Sequence, residues 1–405
     1  MNVNGSRSRF KHFYVYFSFD LCEAMASFEI IAGTYEEFLI GYKFNSEDQT
    51  LTQSFASHDH SSSLRTLATC DHYLASGAAD DRIIIYDFKT RKEHCMLTHH
   101  TATINCLCFT HNHSHLISGS SDGLLAITRV GNWQVEKKWD KAHKGMAILD
   151  IAVHLSGKLA LTLGSDGILR TWNLVKGRQA YAINLSSKSK DPKSLEKILW
   201  ADDGVRFILY GGRYTEVWSI EIGGILKCIE HPIKVCSCIW FSEDEILAGY
   251  EDGQLAIINI DTSEKRVKQG HGSRIKGISK KDEWLVTVCS SGELKVWTGD
   301  LREVCKSNAG CRITCMDIIS NFEVVKEEKV ETDTEEIIEI SSKRSGSRVV
   351  VMTENDGESD DSGKGIPVKK SKKSKKSKIS KQKAFEETDV RDKKKKHKIK
   401  KIKAG

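Results

Sequence analysis

Four kinds of side chain that could do chemistry together recur along this sequence: a histidine, a serine or threonine, an aspartate and an aromatic residue. In the set that is complete by residue type, His143 is followed by Thr162, Asp166 and Trp172. A hydroxyl, an imidazole and a carboxylate are also the groups of a hydrolase triad. One nucleophile needs no copies, however, and because this grouping recurs along the chain, the pattern favours a structural role over catalysis.

The repeat consists of a small residue, an aspartate four positions later, and an aromatic residue or its substitute six positions after that. The copies are Ser76, Asp80, Tyr86; Ser118, Asp122, Thr128; Thr162, Asp166, Trp172; Ala248, Asp252, Ile258; and Thr287, Ser291, Trp297, while Trp218 follows Gly212 in place of an aspartate. From Tyr86 to Trp297 the last position recurs at spacings of 42, 44, 46, 40 and 39 residues. The blades of a WD40 propeller repeat every ~40–45 residues, so the spacing predicts that fold.

Strands must position these side chains. Pairs of mostly apolar residues lie three and five places after each aspartate position, as at Ile83 and Ile85, which is the period of a half-buried strand. A glycine follows the aspartate at 123, 167 and 253, where a tight turn needs positive φ. In WD40 proteins an upstream histidine completes a buried hydrogen-bonded set. The residues predicted to form such sets are His60, Ser76, Asp80, Tyr86, His100, Ser118, Asp122, His143, Thr162, Asp166, Trp172, Asp252, His271 and Trp297.

Unused strands at both ends complete the ring. Residues 28–42 read as a hairpin, 51–55 as a further strand, and 312–318 as one more at the back. Joining them in one blade would remove the open edge of the ring. We therefore predict an all-β fold, a seven-bladed WD40 β-propeller over 28–319. Residues 1–27 are expected to be a disordered extension, with Met25 as an alternative start, and 320–405 a disordered tail.

Several segments resemble the PAK-interacting WD40 family. They are Ala142-His143-Lys144-Gly145, residues 156–161, the run 169–178 that contains Trp172, residues 32–36, and His99-His100-Thr101-Ala102-Thr103-Ile104. The resemblance spans 28–318 in order. It implies a nucleolar adaptor in ribosome biogenesis, acting in maturation of the large (60S) subunit and pre-rRNA, and a negative regulator of p21-activated kinases. The implied partners are pre-60S assembly factors and a p21-activated kinase, with a monomeric protein outside those complexes.

The tail is acid-rich over 323–361 and basic thereafter. Residues 364–405 hold 19 Lys and Arg against four Asp and Glu, a net +15, so the whole-chain value of +6 leaves −9 for residues 1–363. Such blocks cannot bury enough apolar area to fold, and they match nuclear import signals. They would also bind rRNA phosphates without sequence preference. The predicted nuclear and nucleolar targeting residues are Lys369, Lys370, Lys372, Lys373, Lys375, Lys376, Lys393, Lys394, Lys395 and Lys396.

Other classes of function are disfavoured. The sequence contains no P-loop, H-E-x-x-H or G-x-S-x-G motif and no zinc-site cysteine spacing, so we expect no enzyme, metal or cofactor. No apolar run approaches the ~18 residues that span a bilayer, and no membrane is expected as a partner. Two binding modules remain as alternatives, a ubiquitin-ligase substrate receptor and a cytosolic kinase-inhibiting adaptor. WD40 receptors of the first kind usually have an arginine two places after the aspartate of the Trp-Asp dipeptide that ends the third strand of a blade. The corresponding segment here, Tyr86-Asp87-Phe88-Lys89, lacks this arginine.

Overall fold

Residues 27–320 are described by the computed structural model, and they form seven antiparallel four-stranded sheets. Within this range the one helical element is a short 3-10 turn, Leu185–Ser187, and no helix there is long and apolar enough to cross a membrane. The predicted terminal segments lie outside these residues, apart from the boundary positions 27 and 320. Their disorder and the targeting lysines therefore stay predictions.

Each sheet is one blade, and its strands run from the axis of the ring outward. Blade 1 contains β1 Ser27–Thr34, β2 Leu39–Asn45, β3 Thr50–Ser57 and β28 Ile313–Ser320. Blade 2 contains β4 Leu64–Cys70, β5 Tyr73–Ala78, β6 Ile83–Asp87 and β7 Lys92–Leu97. Blade 3 contains β8 Ile104–Phe109, β9 His115–Ser120, β10 Leu125–Arg129 and β11 Val135–Trp139. Blade 4 contains β12 Ile148–Val153, β13 Leu159–Gly164, β14 Ile168–Asn173 and β15 Arg178–Asn184.

The remaining blades repeat this order. Blade 5 contains β16 Lys197–Trp200, β17 Arg206–Gly211, β18 Tyr214–Ser219 and β19 Gly224–Glu230. Blade 6 contains β20 Val235–Trp240, β21 Glu245–Tyr250, β22 Gln254–Asn259 and β23 Lys265–Gln269. Blade 7 contains β24 Ile275–Lys281, β25 Trp284–Cys289, β26 Glu293–Trp297 and β27 Glu303–Asn308. The predicted all-β, seven-bladed propeller is confirmed.

Blade 1 closes the ring with strands from both ends of the described chain. Its order is β28-β1-β2-β3, so the last strand in sequence is the innermost strand of the first blade. β28 pairs with β1 from Phe28 opposite Ser320 to Thr34 opposite Ile313. It also packs beside β24 of blade 7 and β4 of blade 2. The predicted closure by both termini is therefore confirmed.

The core is divided into seven apolar clusters, one at each interface between neighbouring blades. In β6, Ile83, Ile84 and Ile85 are all fully buried, and β22 is buried in the same way along most of its length, so the expectation of a half-buried strand is wrong there. β26 keeps the predicted alternation, with Leu294 and Val296 buried and Glu293 and Lys295 partly exposed. Each blade is sandwiched between two others, so both faces of its central strands meet apolar neighbours and only the outermost strands, such as β23, face solvent.

Candidate functional site

In blades 2, 3, 4 and 7 the repeated polar residues meet at one edge of the blade. Each histidine lies in the connection between the outermost strand of one blade and the innermost strand of the next. In that next blade the hydroxyl residue is on the second strand, the aspartate is in the turn that follows, and the aromatic residue is on the third strand. The glycines after the aspartates, at 123, 167 and 253, have φ of +78°, +69° and +85°. The tight turn predicted from glycine at these positions is present.

Blade 4 contains the complete set. His143 lies 2.7 Å through Nε2 from Thr162 Oγ1 and 2.9 Å through Nδ1 from Asp166 Oδ1. The indole of Trp172 donates to the same hydroxyl, Nε1 to Oγ1 2.8 Å. Neither His143 nor Thr162 has any exposed surface. A Cβ at Gly164 would lie only 2.0 Å from His143 Nδ1, so the imidazole packs directly on the backbone there.

Arg170 joins this set, and sequence reasoning missed it. The guanidinium is 4% exposed, donates to Asp166 Oδ2 at 2.8 Å and contacts the His143 ring. Burial raises the pKa of Asp166, but hydrogen bonds from His143 and Arg170 outweigh it and hold that pKa below its usual value. Arg170 could have been found from the sequence as a basic residue four places after the turn aspartate. Asp166 is therefore the shared acceptor of two buried cationic or polar groups.

Blades 2 and 3 keep the histidine contacts but change the aromatic one. His60 lies 2.7 Å from Ser76 Oγ and 3.0 Å from Asp80 Oδ2. The structure differs from the prediction at Tyr86, whose hydroxyl donates to Asp59 Oδ2 at 3.1 Å. Burial and the Asp59 carboxylate raise the pKa of Tyr86, while hydrogen bonds with Ser57 and Ser76 lower it. The set here is built on His60, Ser76 and Asp80, and Tyr86 connects it to a second carboxylate, Asp59.

In blade 3, His100 lies 2.8 Å from Ser118 Oγ and 3.4 Å from Asp122 Oδ2. The third strand has Thr128 where other blades have an aromatic residue, and its buried hydroxyl has no partner among the described atoms. The second contact to Ser118 comes from His99 Nε2, at 3.1 Å. His99 thus provides the second hydrogen-bond contact to the serine hydroxyl, which an aromatic residue on the third strand provides in blade 4.

Blade 7 replaces the aspartate with a glutamate from the next strand. His271 lies 2.7 Å from Thr287 Oγ1, and Trp297 Nε1 donates to that hydroxyl at 2.7 Å. Ser291 stands at the aspartate position and is too short. Instead, Glu293 Oε2 is 2.8 Å from His271 Nδ1. The longer side chain reaches back from β26, and sequence reasoning based on the turn position alone missed it.

Blade 6 does not form the predicted set. Asp252 Oδ1 accepts only from the backbone N–H of Gln254, at 3.1 Å, and contacts no histidine within the described chain. The position of the hydroxyl residue holds Ala248, so nothing there anchors an imidazole. The histidine of this connection is His231, which bonds Thr215 Oγ1 of blade 5 and Tyr250 Oη, both at 2.9 Å. His231 lies 21 residues before Asp252, which is close to the histidine-to-aspartate spacing of the other sets. This spacing could have identified it from the sequence.

Blade 5 has the most altered site. Gly212 takes the aspartate position and Ile208 the hydroxyl position. The indole of Trp218 donates instead to Glu216 Oε2, at 3.1 Å, and Ser189 donates to the same oxygen at 2.8 Å. Glu216 is fully buried, so this carboxylate takes over the role of acceptor from the missing hydroxyl.

These sets bind the blades together and are closed to substrates. The hydroxyls of Ser76, Thr162 and Thr287 belong to residues with no exposed surface, and each already contacts a histidine. A nucleophile needs an open approach to its oxygen. The arrangement can therefore stabilise the turns and hold them rigid. The geometry gives no support to the hypothesis that these residues form a hydrolase triad.

One of these clusters also has atoms of the kind that bind metals. His271, Cys289 and Glu293 place a nitrogen, a sulfur and an oxygen within 4.8 Å of one another. Burial raises the pKa of the Cys289 thiol, but hydrogen bonds from His271, Ser273 and Ser291 lower it to about 6. Lys295 Nζ lies 3.6 Å from Glu293 Oε1, and its positive charge opposes a cation there. The hydrogen bonds already account for the cluster.

Acidification is expected to destabilise the ring between about pH 6.5 and pH 4. Burial lowers the pKa of His231 and of His99 to about 4, and it also lowers the pKa of His100 and His143. The unfolded chain binds these protons near the ordinary value of 6.5, so the stability is full above that pH and is lost as pH falls toward 4. Burial raises the pKa of Asp317 to about 6, which opposes the loss, but it is one group against four.

Urea unfolding at pH 7.5, 6 and 5 tests this expectation. For a fully buried histidine such as His231 the loss between pH 7 and pH 5 should be about 2 kcal/mol. His231→Gln should remove about that much of the dependence, because glutamine does not titrate, while His99, His100 and His143 keep the remainder. Equal free energies of unfolding at all three pH values would contradict the prediction.

The seven blades and their buried histidine sets define a β-propeller protein of the WD-repeat class. The family model for the WD domain, G-beta repeat matches residues 91–127. A p21-activated protein kinase-interacting protein 1-like protein of Danio rerio is 31% identical, over 85% of this chain and 95% of its own. Shk1 kinase-binding protein 15 of Schizosaccharomyces pombe is 28% identical, over 71% and 82% of the two chains. Protein MAK11 of Saccharomyces cerevisiae is 24% identical, over 77% and 92%.

The identity to the zebrafish protein extends over nearly all of that relative, so the chain belongs to the p21-activated protein kinase-interacting protein 1 family. The resemblance noted in the sequence is confirmed. The residues that carried it include His100 and His143, which the structure places in the inter-blade sets.

Proposed function

We propose that this protein is a non-enzymatic nucleolar adaptor in maturation of the large (60S) ribosomal subunit and pre-rRNA, and that its ring also binds and inhibits a p21-activated kinase. The observation that carries the proposal is membership of a kinase-interacting propeller family in a chain that ends in lysine blocks. A ring of rigid blades presents loops that make specific contacts, while lysine blocks attract polyanions.

The kinase part rests on relatives in distant organisms. Proteins from zebrafish and fission yeast are both named for kinase binding, and each aligns with most of this chain. The ring makes up most of the chain, with residues 27–320 of 405, so it is the element that would contact the kinase. A purely cytosolic inhibitor is the alternative, but it gives the lysine blocks no role.

The nucleolar part rests on the implied family role and on charge. The body of the chain, residues 1–363, is net −9, whereas residues 364–405 are net +15. A basic segment of this density would give long-range attraction to rRNA and to import receptors. The ring would then provide docking to pre-60S assembly proteins. The ubiquitin-ligase reading receives no support from the names of these relatives.

Deleting residues 369–403 is expected to move the protein out of the nucleolus while leaving binding to its protein partners intact. The deletion removes both lysine blocks and none of the described ring. Fluorescence imaging of the deleted fusion should be combined with affinity purification, with and without RNase, and quantification of pre-60S proteins and a p21-activated kinase. A matched control replaces the same lysines by arginine, which keeps the charge.

Two results would overturn the proposal. Retention of the deleted protein in the nucleolus would refute delivery by the tail. Loss of every pre-60S protein after RNase treatment of the full chain would show that RNA, rather than the ring, makes the association.

A further inference from the structure

Near one end of the central channel, most of the innermost strands have a residue that is skipped in the pairing with the neighbouring strand. A β-bulge follows the first residue of β4, β8, β12, β20 and β24, and a matching shift interrupts β28. A bulged residue leaves the ladder and can turn its side chain away from it. The residues skipped in this way are Arg65, Asn105, Leu149, Cys236, Lys276 and Thr314. They lie at the end of the strands that also carries the histidine connections.

One sector of this end of the channel is basic. Arg274 directly precedes β24, which contains Lys276, while Arg312 directly precedes β28 and Arg65 lies in β4. Because β28 packs between β24 and β4, these residues lie on neighbouring inner strands at the same end. Burial lowers the pKa of Lys276, and the positive charges of Arg274, Arg312 and Arg65 lower it further. We call these four residues the basic rim. Residues 27–320 as a whole are close to neutral, with 34 Lys and Arg against 36 Asp and Glu, so this concentration of positive charge is local.

Acidic side chains neutralise only part of the basic rim. Arg274 pairs with Glu251, although its buried Nε has no partner among the described atoms. Glu36 accepts the backbone N–H of Arg312 at 2.9 Å, while the Arg312 guanidinium lies over the Tyr35 ring, 5.3 Å from its centroid. Within residues 27–320, no carboxylate forms an ion pair with the side chains of Lys276, Arg312 or Arg65. Placing like charges close together without counter-charges is unfavourable, and a bound anion would reduce this repulsion.

We propose that the basic rim binds a phosphorylated serine or threonine in an extended segment of a partner protein. A phosphate carries about two negative charges and three acceptor oxygens, which matches a group of neighbouring cations of which Lys276, Arg312 and Arg65 have no carboxylate partner in the described chain. A nucleic-acid backbone would instead need cations spread along a path. Tyr35 and Phe38, in the turn beside Arg312, are 55% and 40% exposed and offer apolar contact to residues flanking the phosphate. The site does not depend on the nucleolar role.

Binding of the full chain to peptide libraries tests the proposal. The probes are nine-residue peptides with a central phosphoserine, the same library with serine, inorganic phosphate, and an oligouridylate. The phosphoserine library should bind at least about tenfold more tightly than the serine library. The double variant Arg65→Gln/Lys276→Gln should remove about tenfold of that affinity. Lys227→Gln/Lys280→Gln, which removes the same charge from an outer strand and from the far end of an inner strand, should change it less than about twofold.

The tail lysines are identical in all variants, so a difference between the two double variants reports on the rim. Thermal melting checks that both fold. If the rim variant melts early, Arg312→Gln replaces it, since that side chain is exposed. Equal losses in both double variants would overturn the proposal, as would equal affinity for phosphorylated and plain peptides. So would inorganic phosphate binding as tightly as the peptide, or a rim-dependent loss confined to the oligouridylate.

Discussion

Asp166→Ala is expected to lower the free energy of unfolding by about 3–5 kcal/mol, the range for breaking a buried charge pair. The substitution removes the acceptor of both His143 Nδ1 and the Arg170 guanidinium, whose bonds to Asp166 are 2.9 and 2.8 Å long. Arg170 is 4% exposed, so its charge would be left buried with a neutral histidine as its nearest neighbour. The cost of an uncompensated buried charge far exceeds that of losing one exposed ion pair.

Blade 6 offers a matched control for this experiment. Asp252 occupies the same turn position, but its carboxylate accepts only from Gln254 N–H. Asp252→Ala should therefore cost about 1 kcal/mol, the value of one backbone hydrogen bond. Urea unfolding of both variants makes the comparison, and Asp166→Asn should fall between them because the amide keeps one acceptor oxygen. Equal costs for the two alanine variants would show that the set in blade 4 is not a special determinant of stability.

Removing β28 is expected to abolish cooperative folding. A chain that ends at Arg312 lacks the innermost strand of blade 1, including Ile313 and Ile319, which are 0% and 2% exposed. β1 would then present an unpaired edge, and the interfaces with β24 and β4 would open. The loss should be about 5 kcal/mol or more, comparable to the whole stability of many domains.

A chain that ends at Ser320 is the control, since it keeps β28 and removes only the predicted tail. Its melting temperature should stay within a few degrees of that of the full chain. Circular dichroism and calorimetry distinguish the two truncations. A sharp, unchanged transition for the shorter chain would refute ring closure as the source of stability, and an early transition for the longer one would give the tail a role in folding.

The repeat was sufficient to predict the fold because spacing and strand period are local properties of the chain. The intervals between Tyr86 and Trp297 predicted blades of the observed size, and the strand patterns near both ends predicted their joint blade. In blade 4 the residue types alone identified His143, Thr162, Asp166 and Trp172, which the structure brings together at hydrogen-bonding distance.

The substitutes for missing members of a set were decided only by tertiary structure. Glu293 replaces an aspartate from the following strand, and Glu216 serves Trp218 from the same strand. His231 binds Thr215 in one blade and Tyr250 in the next, a choice that depends on how two sheets pack. Distances across an interface depend on side-chain length and blade placement, and neither is encoded in spacing along the chain. For the same reason the basic rim, drawn from residues as far apart as Arg65 and Arg312, exists only once the ring has closed.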